Sequence, residues 1–148
     1  INFSGGGGLF STSSDFTKIL QCVLNYGAYK DGKILKKDTV ELMMQKHIGD
    51  ISLNPKGWHY DPATCCNFNG LMDKDSKWGL ATLIDNTPES YGRKKGALVW
   101  GGYRNTYFYI DHKSGIAASI YSQHLPFNHP ETISLFEKFS EVFYKNFK

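Results

Sequence analysis

The residues of this sequence best suited to chemistry lie in Ala97-Leu98-Val99-Trp100-Gly101-Gly102-Tyr103, an apolar run that stops at two glycines. Neither glycine carries a Cβ, so the backbone there is open to close approach, and a strand edge of this kind becomes a binding surface. Paired glycines also make bulges and tight bends, and both readings stand at this stage. Four residues after Tyr103, Tyr107-Phe108-Tyr109-Ile110 begins a second apolar run.

Other residues with chemical potential are less organised. Ser4 precedes Gly5-Gly6-Gly7-Gly8, but the run lacks the Gly-Lys-Ser/Thr ending of a phosphate loop and no full strand precedes it, so it reads as a turn. His47, His59, His112, His124 and His129 are scattered with no His-x-x-x-His pair, and neither metal nor cofactor is expected. Cys65 and Cys66 are neighbours, which bridge only through a strained ring, and no Cys-x-x-Cys or zinc-spaced histidine accompanies them. They read as free thiols in a loop. Tyr103-Arg104-Asn105, Tyr144-Lys145-Asn146 and Ser52-Leu53-Asn54 match Tyr-x-Asn or Ser-x-Asn, tripeptides that arise by chance in a chain rich in Tyr and Asn, and Ser-x-x-Lys is absent.

The elements that must position these groups follow from periodicity. Thr12-Ser13-Ser14-Asp15 has capping-box spacing, and Phe16, Ile19, Leu20, Val23 and Leu24 then recur as a helical core stripe until Gly27 stops it. Asp31-Gly32 marks a turn, and Lys37 to Lys46 reads as a second helix with Val40, Met43 and Met44 inward. From about His47 to Lys77 the pattern disappears amid Pro, Gly, Asn and Asp, which predicts a long functional or inserted loop. Its Trp58, His59 and Tyr60 would either reach a ligand or pin the loop down. Trp78 to Ile84 reads as a strand closed by Asp85-Asn86-Thr87-Pro88, followed by strands at Ala97–Trp100, Thr106–Ile110 and Ile116–Tyr121. Asp111 to Gly115 joins the last two as a hairpin, and short connections imply an antiparallel meander. Pro130-Glu131 opens a final helix whose Ile133, Phe136, Phe139, Phe143 and Phe147 should lie on the sheet. Helices, antiparallel sheet and covering helix make an α+β arrangement.

Composition sets the outer limits. The chain of 148 residues, 41% hydrophobic and 15% aromatic, has enough apolar material for one core. Its net charge of +3 comes from 17 basic and 14 acidic residues without a dense basic patch, which argues against a nucleic-acid surface. No apolar run approaches the roughly 18 residues that span a bilayer. There is no targeting signal to read, Ile1 begins in mid-pattern as if cut from something longer, and the odd cysteine count leans toward a reducing, cytoplasmic setting while leaving localisation open.

Three stretches together resemble the serine β-lactamase-like family, in its class C β-lactamase, carboxylesterase and transesterase branch. They are Gly5 to Asp15 with its helix and Gly27, then Trp78-Gly79-Leu80, then Trp100-Gly101-Gly102 followed by Ile110-Asp111 and Ser114-Gly115-Ile116. The resemblance runs on through Ser122-Gln123 and covers nearly the whole chain except residues 47–77. It implies that residues 1–148 are the C-terminal portion of such a domain, a partial transpeptidase-like fold. In that family a Ser-x-x-Lys nucleophile and a Tyr-x-Asn base face a Lys-Thr-Gly-type strand. The resemblance makes Trp100-Gly101-Gly102 that third, substrate-binding motif and the backbone N–H of Tyr103 an oxyanion-hole donor. Trp100 in place of the motif's Lys removes a cation that would pair with a substrate carboxylate, favouring ester over β-lactam chemistry.

The nucleophile, its Lys and the Tyr base would all lie upstream of Ile1; Tyr103-Arg104-Asn105 comes too late in the chain order. Nucleophile and base must sit within hydrogen-bond reach, so this chain alone is expected to be inert. The expected partners are a small ester or acyl substrate and the upstream part of the same protein. The alternative is a non-catalytic module that binds a partner or self-associates through Trp100, Tyr103, Tyr107 and Tyr109.

Overall fold

The computed structural model describes residues 7–56, 61–87 and 91–147. Helix α1 (Ser13–Leu24) begins at Thr12, whose hydroxyl accepts the Asp15 N–H at 3.1 Å and donates to the Asp15 carboxylate at 3.0 Å, so the N-cap forms as read, with Asp15 returning to the Thr12 hydroxyl rather than to its backbone N–H. A two-residue hairpin, β1 (Ala28–Tyr29) and β2 (Gly32–Lys33), carries the Asp31-Gly32 turn, and α2 (Lys37–Met43) follows. β3 (Lys77–Trp78), β4 (Leu83–Asp85), β5 (Ala97–Gly102), β6 (Thr106–Asp111) and β7 (Ile116–Ile120) form one antiparallel sheet in chain order, and α3 (Pro130–Asn146) closes the chain. The α+β arrangement is the one the sequence predicts.

Alternation along β5 and β6 divides the core into two layers, one on each face of the sheet. Val99, Tyr107, Tyr109 and Ala118 meet Ile133, Phe136 and Tyr144 of α3, while Ile84, Leu98 and Ile110 meet Leu20 and Val23 of α1 and Val40 of α2. On the α3 side, ring pairs Tyr107–Phe136 at 5.4 Å and Tyr109–Phe136 at 5.8 Å each add roughly 0.5–1.5 kcal/mol beyond their buried area. Both α1 and α3 are too short to cross a membrane, as are all the described helices.

Four expectations need correction. Trp78 to Ile84 is not one strand: β3 turns back into β4, with Ala81 at φ +70° and the Leu80 N–H donating to the Met43 carbonyl at 3.2 Å. The end of α2 is what fills the turn, a tertiary contact that no local pattern announces. Second, α2 stops at Met43 rather than Lys46. Third, the α3 stripe divides: Ile133, Phe136, Ser140 and Tyr144 are buried and Phe139 packs half-buried on the same core, whereas Phe143 and Phe147 run out along a flank, their rings stacked at 4.8 Å, and Phe147 is 66% exposed. Spacings of three and four residues let either row serve, and the sheet selects the Tyr144 row. Fourth, Ile19 in the α1 stripe is exposed.

Residues 47–77 are irregular, as expected, but tied down. The His47 N–H donates to Trp78 O at 2.9 Å, the Cys66 N–H to Phe127 O at 2.8 Å, and Leu71 is buried in the core. Trp58, His59 and Tyr60 lie outside the described residues.

Asp111, at the end of β6, shapes the β6–β7 connection. Its buried carboxylate accepts the N–H groups of Lys113 and Ser114 at 3.1 Å each, the Lys94 N–H at 2.9 Å and the Tyr144 hydroxyl at 2.7 Å. Burial by itself raises the carboxyl pKa, but the Tyr144 hydroxyl and the N–H donors outweigh it and hold Asp111 below the usual carboxylate range.

Candidate functional site

β5 does not break at its glycines. It runs through Gly102, with Gly101 opposite Tyr107 and Gly102 opposite Thr106, and the chain turns only at Tyr103. A Cβ on Gly101 would stand 2.6 Å from the Tyr107 ring and 3.1 Å from Phe127, and one on Gly102 would strike the Thr106 hydroxyl. The glycines therefore make room first for the fold's own side chains. β4 pairs only with Ala97 to Val99, which leaves the opposite edge of β5 free over Trp100 to Gly102 among the described residues.

Gly101 and Gly102 line a groove of about 630 Å³ between the N-terminus of α1 and the ends of β5, β6 and β7. Phe16 and Phe108 meet edge-to-face at 5.4 Å in its wall, Ser11, Thr12, Ser13, Thr106 and Tyr121 also line it, and no charged residue lines it among the described residues. Such a groove suits an uncharged ligand with an apolar part. The Trp100 ring lies elsewhere, packed edge-to-face on Trp78 at 4.6 Å and near Phe68 and Phe127 at 6.4 Å each. Trp100 is thus brought to the glycines by backbone but turned toward the aromatic cluster under the 61–71 segment.

Tyr103 begins the turn, with its side chain 54% exposed, and the turn is closed by the Asn105 N–H donating to Gly102 O at 2.9 Å. Among the described residues the Tyr103 N–H has no hydrogen-bond partner in the chain. What holds it in place is Asn105, a residue that enters the sequence reading only as part of a chance tripeptide. Asn105 is fully buried at φ +61°. Its Nδ2 donates to His124 O at 2.9 Å and Pro126 O at 2.7 Å, and its Oδ1 accepts the Tyr107 hydroxyl at 2.6 Å and the His129 N–H at 3.0 Å. All four side-chain hydrogen-bonding positions of the amide are used. The Ser122 hydroxyl bonds Arg104 O and Asn105 O at 2.9 Å each, fastening the turn from the other side.

No group of three or more His, Cys, Asp or Glu side chains placed for a metal occurs among the described residues. The groove serines Ser11 and Ser13 have no lysine three positions on.

No family model matches the chain. Among curated proteins it is similar to monacolin J acid methylbutanoyltransferase of Aspergillus terreus, 29% identical over 97% of this chain and 35% of that protein. ML-236A carboxylate methylbutanoyltransferase of Penicillium citrinum is 30% identical over 97% and 34%, and lovastatin esterase of Penicillium rubens 34% over 76% and 28%. Its homologues are serine β-lactamase-like acyltransferases and esterases. The structure agrees: unliganded simvastatin synthase of Aspergillus terreus superposes with a TM-score of 0.65 at 25% identity, over 87% of this chain and 33% of that one. The chain spans about a third of the β-lactamase-like relatives it matches, in their C-terminal part. The fold that the sequence resembles is therefore the one found, and the homologues are of the kind that the resemblance names.

Proposed function

We propose that this chain supplies one wall of the acyl pocket in a serine hydrolase or acyltransferase of esters, with the Tyr103 N–H as an oxyanion-hole donor. Residues 1–148 serve as the C-terminal portion of the domain, and a Ser-x-x-Lys nucleophile outside them completes the site. The observation that carries the reading is the unpartnered N–H of Tyr103, the residue that follows Gly101 and Gly102, which line an uncharged groove and end a strand whose other edge is free. A tetrahedral oxyanion is stabilised by donors fixed before the reaction begins, and the Asn105 clamp provides that fixity. Gly101 and Gly102 let the acyl carbonyl lie along the strand, and Phe16 and Phe108 accept its apolar tail. The Trp100 ring supports the strand from behind through Trp78. Nucleophile and base must be within hydrogen-bond reach of one another, so the described residues alone do not turn over.

The test is to offer a nitrophenyl acetate and a fluorophosphonate probe to the full-length protein carrying Ser-x-x-Lys. Ester hydrolysis with labelling of that serine is expected. Absence of both from folded full-length protein defeats the enzyme reading and leaves a partner-binding module, whose surface would rest on Tyr103 and its neighbours because Tyr107 and Tyr109 are buried in the core.

A further inference from the structure

Cys65 and Cys66 are both free thiols, half-buried, and line a groove of about 570 Å³ together with Asn69, Asn128 and Glu137, open to small solutes. Their backbone is part of the support for the turn. Cys65 forms a parallel bridge with Phe127, the Cys66 N–H donates to Phe127 O at 2.8 Å, and the Phe127 N–H donates to Thr64 O at 2.8 Å. Phe127 follows Pro126, whose carbonyl Asn105 grips, and its ring stacks on Tyr107 at 6.1 Å. Two steps therefore join the thiols to the Tyr103 turn.

We propose that Cys65 and Cys66 form a dithiol modification site that hydrogen peroxide closes to a disulfide, releasing Phe127 and loosening the Asn105-held turn. In the first step a thiolate sulfur attacks peroxide: an S–O bond forms, the O–O bond breaks and hydroxide leaves, giving a sulfenic acid. The neighbouring sulfur then displaces that oxygen, an S–S bond forms, and water departs with the second thiol's proton. In sum, two thiols and one peroxide yield one disulfide and two waters; sulfur is oxidised and peroxide reduced. The Cys65 thiol is pushed up by burial and donates to Cys66 O at 3.1 Å, which assigns the first attack to Cys66 and the closing step to Cys65. The peptide enclosed by the new ring is the one carrying the Cys66 N–H. An S–S distance of about 2.0 Å across adjacent residues twists that peptide, and its bond to Phe127 is lost.

An influence on acyl transfer rests on the function proposed above; the disulfide and the loosening do not, so the experiment reads those directly. The purified protein is treated with hydrogen peroxide and followed by peptide mass spectrometry and amide hydrogen exchange. Cys22, buried at 3% exposure, is the unreactive internal reference. Expected are a 65–66 peptide lighter by two hydrogens and exchange at the Cys66, Asn105 and Phe127 amides faster by about tenfold or more. Both should reverse with dithiothreitol and be absent in Cys66→Ser. Oxygen addition at either thiol without loss of two hydrogens overturns the site, as does a disulfide between molecules. A disulfide that leaves exchange at Asn105 and Phe127 unchanged overturns the coupling. Failure of the esterase assay alters none of these readouts.

Discussion

Replacing Tyr103 by proline removes one hydrogen atom of interest and little else. Tyr103 is the second residue of a turn closed by the Asn105 N–H on Gly102 O, a position proline prefers, and its backbone is outside the left-handed region. Gly102 before it lies in β5 and already has the extended conformation that precedes proline. Stability should scarcely change. The Tyr103 N–H has no partner to lose, and the exposed Arg104 stacking on the Tyr103 ring at 5.9 Å accounts for about 0.5–1 kcal/mol. Stiffening the unfolded chain offsets that by about 0.4–1 kcal/mol. An oxyanion donor, by contrast, contributes roughly 10²–10³ in kcat. The assay is steady-state hydrolysis of a nitrophenyl ester by full-length Tyr103→Pro beside Tyr103→Ala, which keeps the N–H, with urea unfolding of both. We expect kcat to fall about 10²-fold or more in the proline variant only, and the unfolding midpoints to agree. A well-folded proline variant within about threefold of the alanine variant refutes the donor assignment, since even a weak oxyanion bond is larger than that.

Asn105→Ala deprives two part-buried carbonyls, a buried hydroxyl and an N–H of partners and leaves a residue ill-suited to φ +61°. It should cost about 3–5 kcal/mol in urea unfolding, and a loss under about 1 kcal/mol would show that the clamp is not structural. Tyr144→Phe removes a donor to Asp111, whose depressed carboxyl pKa gives stability present above its unfolded value near 3.9 and lost as pH falls through the lower folded value. The variant should therefore lose about 1.5–3 kcal/mol at pH 7 and progressively less in acid below about pH 4; thermal melts with a pH-independent gap would contradict this. Arg93→Met strands the Asp85 carboxylate, which Arg93 holds at 2.8 and 3.1 Å with both side chains under 10% exposed. A loss of about 3–5 kcal/mol is expected, and restoration by a second, apolar replacement at Asp85 would identify the stranded charge as the cause.

What the sequence disclosed was local. The α1 start was legible because Thr12 and Asp15 complete each other within one turn, and α3 because proline is placed where its missing N–H does no harm. β5 and β6 were legible as short apolar runs bounded by turn residues, and the kind of homologue from Trp100-Gly101-Gly102 and its neighbours. Asn105 was hidden because its partners lie 19 to 24 residues away, at His124, Pro126 and His129, as well as two away at Tyr107. The β3–β4 turn was hidden for the same reason, since the Met43 carbonyl that receives Leu80 belongs to another element. The sequence draws attention to the glycines as an open backbone, and the structure adds a packing reason: the missing Cβ at Gly101 makes room for Tyr107 and Phe127, and that at Gly102 for Thr106.

Asn105 grips its loop by carbonyl oxygens, at His124 and Pro126, and by the N–H of His129. Those atoms belong to every amino acid alike, save that proline would lack the N–H. The scaffold of the turn is thus largely indifferent to the side chains displayed on the loop around it. Position 124 is held twice, since its imidazole also bonds the buried Thr132 hydroxyl at 3.2 Å, which leaves position 125 as the place where a combinatorial library could diversify the loop while the backbone grip is kept.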